Sequence, residues 1–210
     1  MNMRLEKVRS VPAPGEHLCG VAWDGHCLWH SDGTTNTIYQ LDPTTGEVKA
    51  ELSCDDVRTC LDFDGNNLWQ IAGKPKRIRL IRPTDGLVLG EIAFNEDPDA
   101  MCALHVERDR YWLGSKTIGM IEERDGRTHN LLGYWQTDGS VHGLARVHDA
   151  LWYTDYPARQ LVGWDQNQNT AIARFDLPGH PTGLCRGAGD TFWYCDYTNR
   201  CLTQVKIQRQ

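Results

Sequence analysis

The sequence predicts an all-β fold: a five-bladed β-propeller of four-stranded antiparallel blades, its ring closed by the N-terminal strand joining the last blade. Three observations predict it. First, an apolar or aromatic residue followed by tryptophan recurs as Leu28-Trp29, Leu68-Trp69, Tyr111-Trp112, Leu151-Trp152 and Phe192-Trp193, with the tryptophans 40, 43, 40 and 41 residues apart. Second, each repeat holds short apolar stretches separated by turns rich in glycine and aspartate. Third, the last repeat stops one strand short, and Leu5-Glu6-Lys7-Val8 with Pro12 matches the outer stretch Ala173–Asp176 with Pro178.

The elements follow in order. The first strands read CGVAW (19–23), TCLDF (59–63), CALHV (102–106), HGLARV (142–147) and TGLCR (182–186). A turn follows each: Asp24-Gly25, Asp64-Gly65, Arg108-Asp109, His148-Asp149 and Gly187–Asp190. The Trp-bearing strands come next. Third strands are expected at TIYQLD (37–42), RIRLIR (77–82), TIGMIE (117–122), QLVGWD (160–165) and CLTQVK (201–206). Fourth strands are expected at VKAEL (48–52), VLGEI (88–92), HNLLGYW (129–135) and TAIARFDL (170–177). The chain of 210 residues is then one domain, with blades at about 17–54, 57–95, 99–137, 140–178 and 180–208 plus 3–12. Pairing of the N-terminal strand with the last blade covers an otherwise open sheet edge. The five repeated tryptophans read as packing between adjacent sheets, because core residues must recur and binding residues need not.

Composition narrows the function. A net charge of −6 excludes a nucleic-acid partner, which needs a basic surface to displace counterions. No apolar run approaches the ~18 residues that span a bilayer. The N-terminus, MNMRLEKVRS, has no apolar signal core, so a cytoplasmic location is expected. Eight cysteines in a chain larger than a secreted mini-protein, with no signal core, are expected to be reduced thiols, and the absence of a CxxC pair leaves a zinc ribbon without support. The expected partner is a small molecule, neither nucleic acid nor membrane, and a monomer suffices for the architecture.

The unit VHGLARVHDALWYTDYPARQLVGWD (141–165) resembles a blade of the streptogramin lyase (virginiamycin B lyase) family, whose blades read roughly H-G-I, then L-W-F-T-E, then I-G. HPTGLCRGAGDTFWYCDY and HLCGVAWDGHCLWHSDG are weaker copies, SKTIGMIE echoes the third strand, and sugar-lactonase and NHL-type propellers share the pattern. The resemblance implies a metal-dependent lyase with catalytic His and Glu at the channel mouth. His142 matches the family's H-G position, and no Glu opens another blade's first strand. The family's wheels have seven blades, against five repeats here.

The mouth is where the repeats stop repeating. Beside the small residues Gly20, Cys60, Ala103, Gly143 and Gly183, the preceding positions form a ring of Cys19, Thr59, Cys102, His142 and Thr182. Two positions earlier stand His17, Val57, Ala100, Ser140 and His180. Cys19, Cys102 and His142 form a candidate set for Zn²⁺ or another thiophilic divalent ion. Alternatively, His142 is a general base with His180 or His17 as the acid. In a third reading Cys19 is a nucleophile activated by an imidazole. A fourth makes the cysteines plain packing residues.

A second ring follows the Trp strands: Asp32, Ala72, Ser115, Asp155 and Asp196; its three aspartates, with Thr59 and Thr182 of the first ring, are candidate substrate-binding groups, as are Lys116, Arg159, Arg200, Tyr156 and Tyr197 below. A third opens the next strands: Asn36, Lys76, Lys116, Arg159 and Arg200. It reads as a basic collar for a carboxylate or phosphate, or as ion pairs Asp155–Arg159 and Asp196–Arg200 within each blade. Tyr156 and Tyr197 occupy matched loop positions and wall a pocket or pack. His105, His129 and His148 read as packing or solvated residues. A small-molecule lyase or hydrolase acting at the mouth is the leading expectation, with a non-catalytic metal or anion binder and a protein-interaction scaffold as alternatives.

Overall fold

The computed structural model describes residues 3–94 and 100–209. Every regular element in that range is a strand. Blade 1 holds β2 (Leu18–Trp23), β3 (Leu28–Asp32), β4 (Thr37–Leu41) and β5 (Val48–Ser53). Blade 2 holds β6 (Val57–Phe63), β7 (Leu68–Ala72), β8 (Arg77–Ile81) and β9 (Val88–Ala93). Blade 3 holds β10 (Met101–Glu107), β11 (Arg110–Ser115), β12 (Met120–Asp125) and β13 (Leu131–Gln136). Blade 4 holds β14 (Val141–Val147), β15 (Ala150–Asp155), β16 (Gln160–Asp165) and β17 (Thr170–Asp176). Blade 5 is assembled from both chain ends, in the order β18 (Pro181–Arg186), β19 (Thr191–Asp196), β20 (Cys201–Arg209) and β1 (Met3–Pro12). β1 runs antiparallel to β20 from Met3↔Arg209 to Pro12↔Cys201. The expected blade limits at 95 and 99 lie outside the described residues.

One expectation needs correcting. The third strand of blade 3 is β12 (Met120–Asp125), three residues later than the expected 117–122. The loop before it turns at Gly119, whose φ of 59° is left-handed, as is φ at Asn36, Arg159 and Arg200 in the same loop position of other blades. Gly119, and not Lys116, therefore belongs to that set.

The tryptophans do hold the blades apart and together. Trp29 packs with Val57, Leu61 and Leu68 of blade 2, Trp69 with Leu104 and Tyr111 of blade 3, and Trp112 with Val141, Leu144 and Leu151 of blade 4. Trp152 packs with Leu184 and Phe192 of blade 5, and Trp193 with Val21 and Leu28 of blade 1. The turn aspartates of the first two blades also receive an indole N–H, Trp29 Nε1 to Asp24 at 2.8 Å and Trp69 Nε1 to Asp64 at 2.7 Å. Each blade interface thus has its own apolar cluster, and the five clusters form a closed series.

Five blades make a tight ring. The innermost strands β2, β6, β10, β14 and β18 each touch the next, and β18 touches β2 again. A Cβ on Gly20 would lie 2.2 Å from Leu61 N, one on Gly143 2.4 Å from Leu184 N, and one on Gly183 2.7 Å from Gly20 Cα. Backbones this close fill the axis, so the small-residue ring is a requirement of packing. Beside that filled axis, space for a ligand remains at the mouth. All eight cysteines are free, and among the described residues no helix is long and apolar enough to cross a membrane.

Candidate functional site at the channel mouth

The mouth is built by a repeated irregularity. In every blade the ladder between the first two strands slips just inside the mouth: between Leu18 and Gly20, Val57 and Leu61, Met101 and Ala103, Val141 and Gly143, and Pro181 and Leu184. A bulge leaves its extra residue outside the ladder and re-aims the side chain. The bulge residues are the ring singled out above: Cys19, Thr59, Cys102, His142 and Thr182. Blade 2 carries one residue more. Val57 to Leu61 spans the same two partner steps (Ala72 to Gln70) that Leu18 to Val21 spans in blade 1 (Asp32 to His30). That extra residue is Arg58.

Together these side chains border a cavity of about 350 Å³. Its floor is Leu18, Cys19, Thr59, Cys102 and Thr182. One flank carries His17, His142, Tyr156 and Tyr197; the other carries Arg58, Lys76 and Lys116. Arg58 had no signal in the repeat alignment, since the extra residue hides between aligned positions. Lys116 reaches the mouth from the loop slot that holds Gly33, Gly73, Tyr156 and Tyr197 in the other blades, immediately after the second strand.

His142 is held in one tautomer. Its Nδ1–H donates to the Ser140 carbonyl at 3.2 Å, which leaves the Nε2 lone pair as the reactive atom. Burial pushes its pKa below the ordinary imidazole value; the Ser140 bond and the Asp155 charge oppose this, while the Lys116 ammonium adds to it. The ring is therefore neutral at physiological pH. His17 lies edge-on to Tyr197 at 5.5 Å, and its backbone N–H donates to Asp32 at 2.6 Å.

Several expected site residues stand elsewhere. His180 is outside the cavity lining: its Nδ1 is 2.8 Å from Thr198 Oγ1 and its ring rests against Tyr156. Arg159 and Arg200 are exposed on the loops, outside the lining, and do not pair with Asp155 or Asp196; Arg200 lies 3.7 Å from Glu16. Asp32, Asp155 and Asp196 are buried loop bolts and do not line the cavity. Asp32 accepts the backbone N–H groups of His17, Thr34 and Thr35, which outweigh its burial and lower its pKa. Asp155 accepts from Ser140 and Ala158, and Asp196 from Asn199. Glycines make room for these carboxylates: a Cβ on Gly15 or Gly139 would sit 2.3 Å from Asp32 or Asp155.

The metal set does not fit either. Among the described residues no group of three or more His, Cys, Asp or Glu is placed to hold a metal ion, Cys19, Cys102 and His142 included. Burial and the Asp32 charge push the Cys19 thiol up to about 12, and its Sγ–H donates to the His17 carbonyl. Burial also raises Cys102, although Lys76 and Lys116 pull the other way. Raised in this way, the two thiols stay protonated and are weak nucleophiles at neutral pH.

No protein-family model matches the sequence, and no curated protein does. The shape has clear relatives. Glutaminyl cyclase from Myxococcus xanthus superposes with a TM-score of 0.80 at 12% identity, over 97% of this chain and 96% of that one. The PQQ-bound aldose sugar dehydrogenase of Streptomyces coelicolor gives 0.65 at 12% identity, over 99% of each chain. Streptogramin B lyase gives 0.60 at 13% identity, over 100% of this chain and 89% of that one. The chain is a propeller of a fold that these enzymes share. Identities this low speak for fold alone, so function rests on the site.

At the opposite end of the ring lies a second polar cluster. His105 on β10 is 8% exposed, and its Nδ1 lies 2.8 Å from Asp62 of β6, which also accepts the Val106 N–H at 2.8 Å. His105 Nε2 is 3.6 Å from Glu107, and Glu107 pairs at 3.2 Å with Arg146 of β14. Arg146 lies over the Trp112 ring, 5.6 Å from its centroid. Burial pulls the His105 pKa down, but Asp62 and Glu107 more than reverse this, to about 9. The other two histidines read as packing or solvated are peripheral: His148 pairs with Asp190 at 3.0 Å, and His129 Nδ1 is 3.4 Å from Tyr111 Oη.

Proposed function

We propose that the protein is a small-molecule enzyme, a lyase or hydrolase, that works at the channel mouth with His142 as its general base. The observation that carries this is the pairing of a neutral, tautomer-fixed imidazole with three cations around one cavity. An anionic substrate is drawn to Arg58, Lys76 and Lys116 and placed with a C–H or a water near His142 Nε2. In the elimination form, Nε2 takes the proton next to a carbonyl and the carbon–oxygen bond breaks. The departing oxygen leaves with the bonding pair and takes a proton from His17. The cations stabilise the negative charge that develops on the carbonyl oxygen in the transition state. In the hydrolytic form, Nε2 takes a proton from water as the water attacks the carbonyl; the tetrahedral oxyanion then collapses, the ester carbon–oxygen bond breaks, and the departing oxygen takes the proton back from Nε2.

The break in the repeat pattern at the mouth supports this reading. The test is a screen of carbon–oxygen lyase and ester or lactone substrates, with and without added divalent ions. A substrate found this way should lose about 10²–10⁴-fold in turnover with His142→Ala. Unchanged turnover in that variant would overturn the assignment.

A further inference from the structure

Each blade ends on an outer strand: β5, β9, β13, β17 and, in blade 5, β1. Such a strand turns one row of unpaired backbone N–H and C=O groups to solvent, and an unguarded row is a template for another strand. Four of the five carry charged side chains. β1 has Arg4, Glu6, Lys7 and Arg9, β5 has Lys49 and Glu51, and β17 has Arg174 and Asp176. β9 has Glu91, which pairs with Arg77 and Arg79 of the adjoining strand at 2.9 Å each. β13 reads LLGYWQ and has no charge. Its side chains also stand open: Tyr134 is 66% exposed, and Leu131 and Leu132 are 50% exposed. The strand itself is well anchored. Trp135 packs on the apolar cluster between blades 3 and 4, and its Nε1–H donates to the Gln166 carbonyl at 2.8 Å.

We propose that β13 is a self-association edge: two copies of this chain pair β13 with β13, antiparallel and about a two-fold axis, into a weak dimer joined rim to rim. The charges select the occupant. Any of the other four outer strands laid along β13 brings an ion against Leu132 or Tyr134, where it loses water and meets no counter-charge. Among the outer strands of a second copy, β13 alone brings none. An antiparallel pair of like strands is also self-complementary. With Gly133 opposite Gly133 of the copy, Leu132 faces Tyr134 of the copy and Tyr134 faces Leu132 of the copy, an aliphatic–aromatic pair made twice. The two glycines leave the centre of the new ladder bare, and a tyrosine from each copy lies beside it. One short strand per copy falls below the ~1,200–2,000 Å² of a stable interface, so the dimer forms and dissociates with concentration. Pairing uses up both edges and therefore stops at two copies. The mouth lies on the ring axis, away from the rim, and stays open in the dimer.

Sedimentation velocity on the full chain, from about 1 μM to about 1 mM, tests the assignment. The wild type should pass from monomer to dimer with a midpoint on the order of 100 μM. Leu132→Lys and Tyr134→Lys place a charge on the edge and should each raise that midpoint about tenfold or more. Both side chains are exposed, so both variants should melt as the wild type does. Leu89→Lys, at a residue of β9 that is 49% exposed, should leave the midpoint where it is. Amide hydrogen exchange adds a reading specific to the strand. Leu131–Gln136 should exchange more slowly at the upper end of the concentration range than at the lower, and the other outer strands should not change. A monomer throughout the range would overturn the proposal. So would a dimer that both β13 variants leave intact, a dimer that Leu89→Lys weakens as much, or growth into species larger than two copies.

Discussion

His142 and His105 lie on the innermost strands of neighbouring blades, at opposite ends of the ring, and burial acts on both in the same direction. It lowers the pKa of His142 and would lower that of His105. The partners decide the outcome. His142 has one backbone carbonyl and a cation nearby, and stays a neutral group facing a cavity. His105 is clasped by Asp62 and Glu107, and becomes a buried cation holding three blades together. A buried histidine is thus a reagent at one end of the ring and a rivet at the other.

Breaking the rivet gives the largest expected effect. Asp62→Ala removes the counter-charge that keeps the buried His105 ring protonated and leaves the Val106 N–H without its acceptor, so it should cost about 3–5 kcal/mol in urea unfolding. If Asp62→Ala instead unfolds at the wild-type urea concentration, the pair is idle and the contrast fails.

The pH profile sharpens the same contrast. The folded pKa of His105, about 9, lies above the ordinary imidazole value of 6.5. Its stabilisation is therefore full below pH 6.5 and is lost as pH rises through 9, a loss on the order of 3 kcal/mol. Denaturant midpoints measured from pH 6 to pH 10 should fall across that window, and should stay flat there in Asp62→Ala.

At the mouth, the loop bolts come next. Asp32→Ala frees three backbone N–H groups and should cost about 2–3 kcal/mol, with a weaker hold on His17. The lowered pKa of Asp32 makes its contribution present above pH 3.8 and lost as pH falls through its folded value. A scan of stability between pH 5 and pH 2, wild type against variant, reads this directly. The smallest effect on stability belongs to the reagent itself. His142→Ala should shift stability by less than about 1 kcal/mol, because its ring borders a cavity, while removing turnover. A rate-versus-pH curve should place the acidic limb below the ordinary imidazole value.

The same contrast explains what could be read from the sequence. Blade framework is periodic, and Trp29, Trp69, Trp112, Trp152 and Trp193 mark it without reference to any contact. The mouth was legible as the place where that period breaks, and this located Cys19, Thr59, Cys102, His142, Thr182, Tyr156 and Tyr197. Arg58 was hidden because a one-residue bulge insertion leaves the flanking pattern intact. By sequence Lys116 aligns with the wrong slot because the loop in blade 3 ends on Gly119, which carries no side chain to align. Sequence cannot separate Asp32, Asp155 and Asp196 from ligand groups, because a carboxylate that fixes a loop has the same spelling as one that binds a substrate. The Asp62–His105 pair joins two blades, and repeat alignment compares equivalent positions without showing which positions of neighbouring blades touch.

The closure of blade 5 also sets a timetable. Ser10 and Thr203, hydrogen-bonded at 2.9 Å across the β1–β20 pairing, are 193 positions apart. At ~5–20 residues per second, synthesis leaves β1 waiting ~10–40 s for its partner. Throughout that wait it is a nascent strand with both edges bare, the form most prone to pairing with the wrong neighbour. Its sequence, MRLEKVRSVP, intersperses Arg4, Glu6, Lys7 and Arg9 among the apolar residues. β1 remains the outer edge of blade 5 once the ring is closed, so the same charges that guard the waiting strand also guard the finished edge against pairing with another chain.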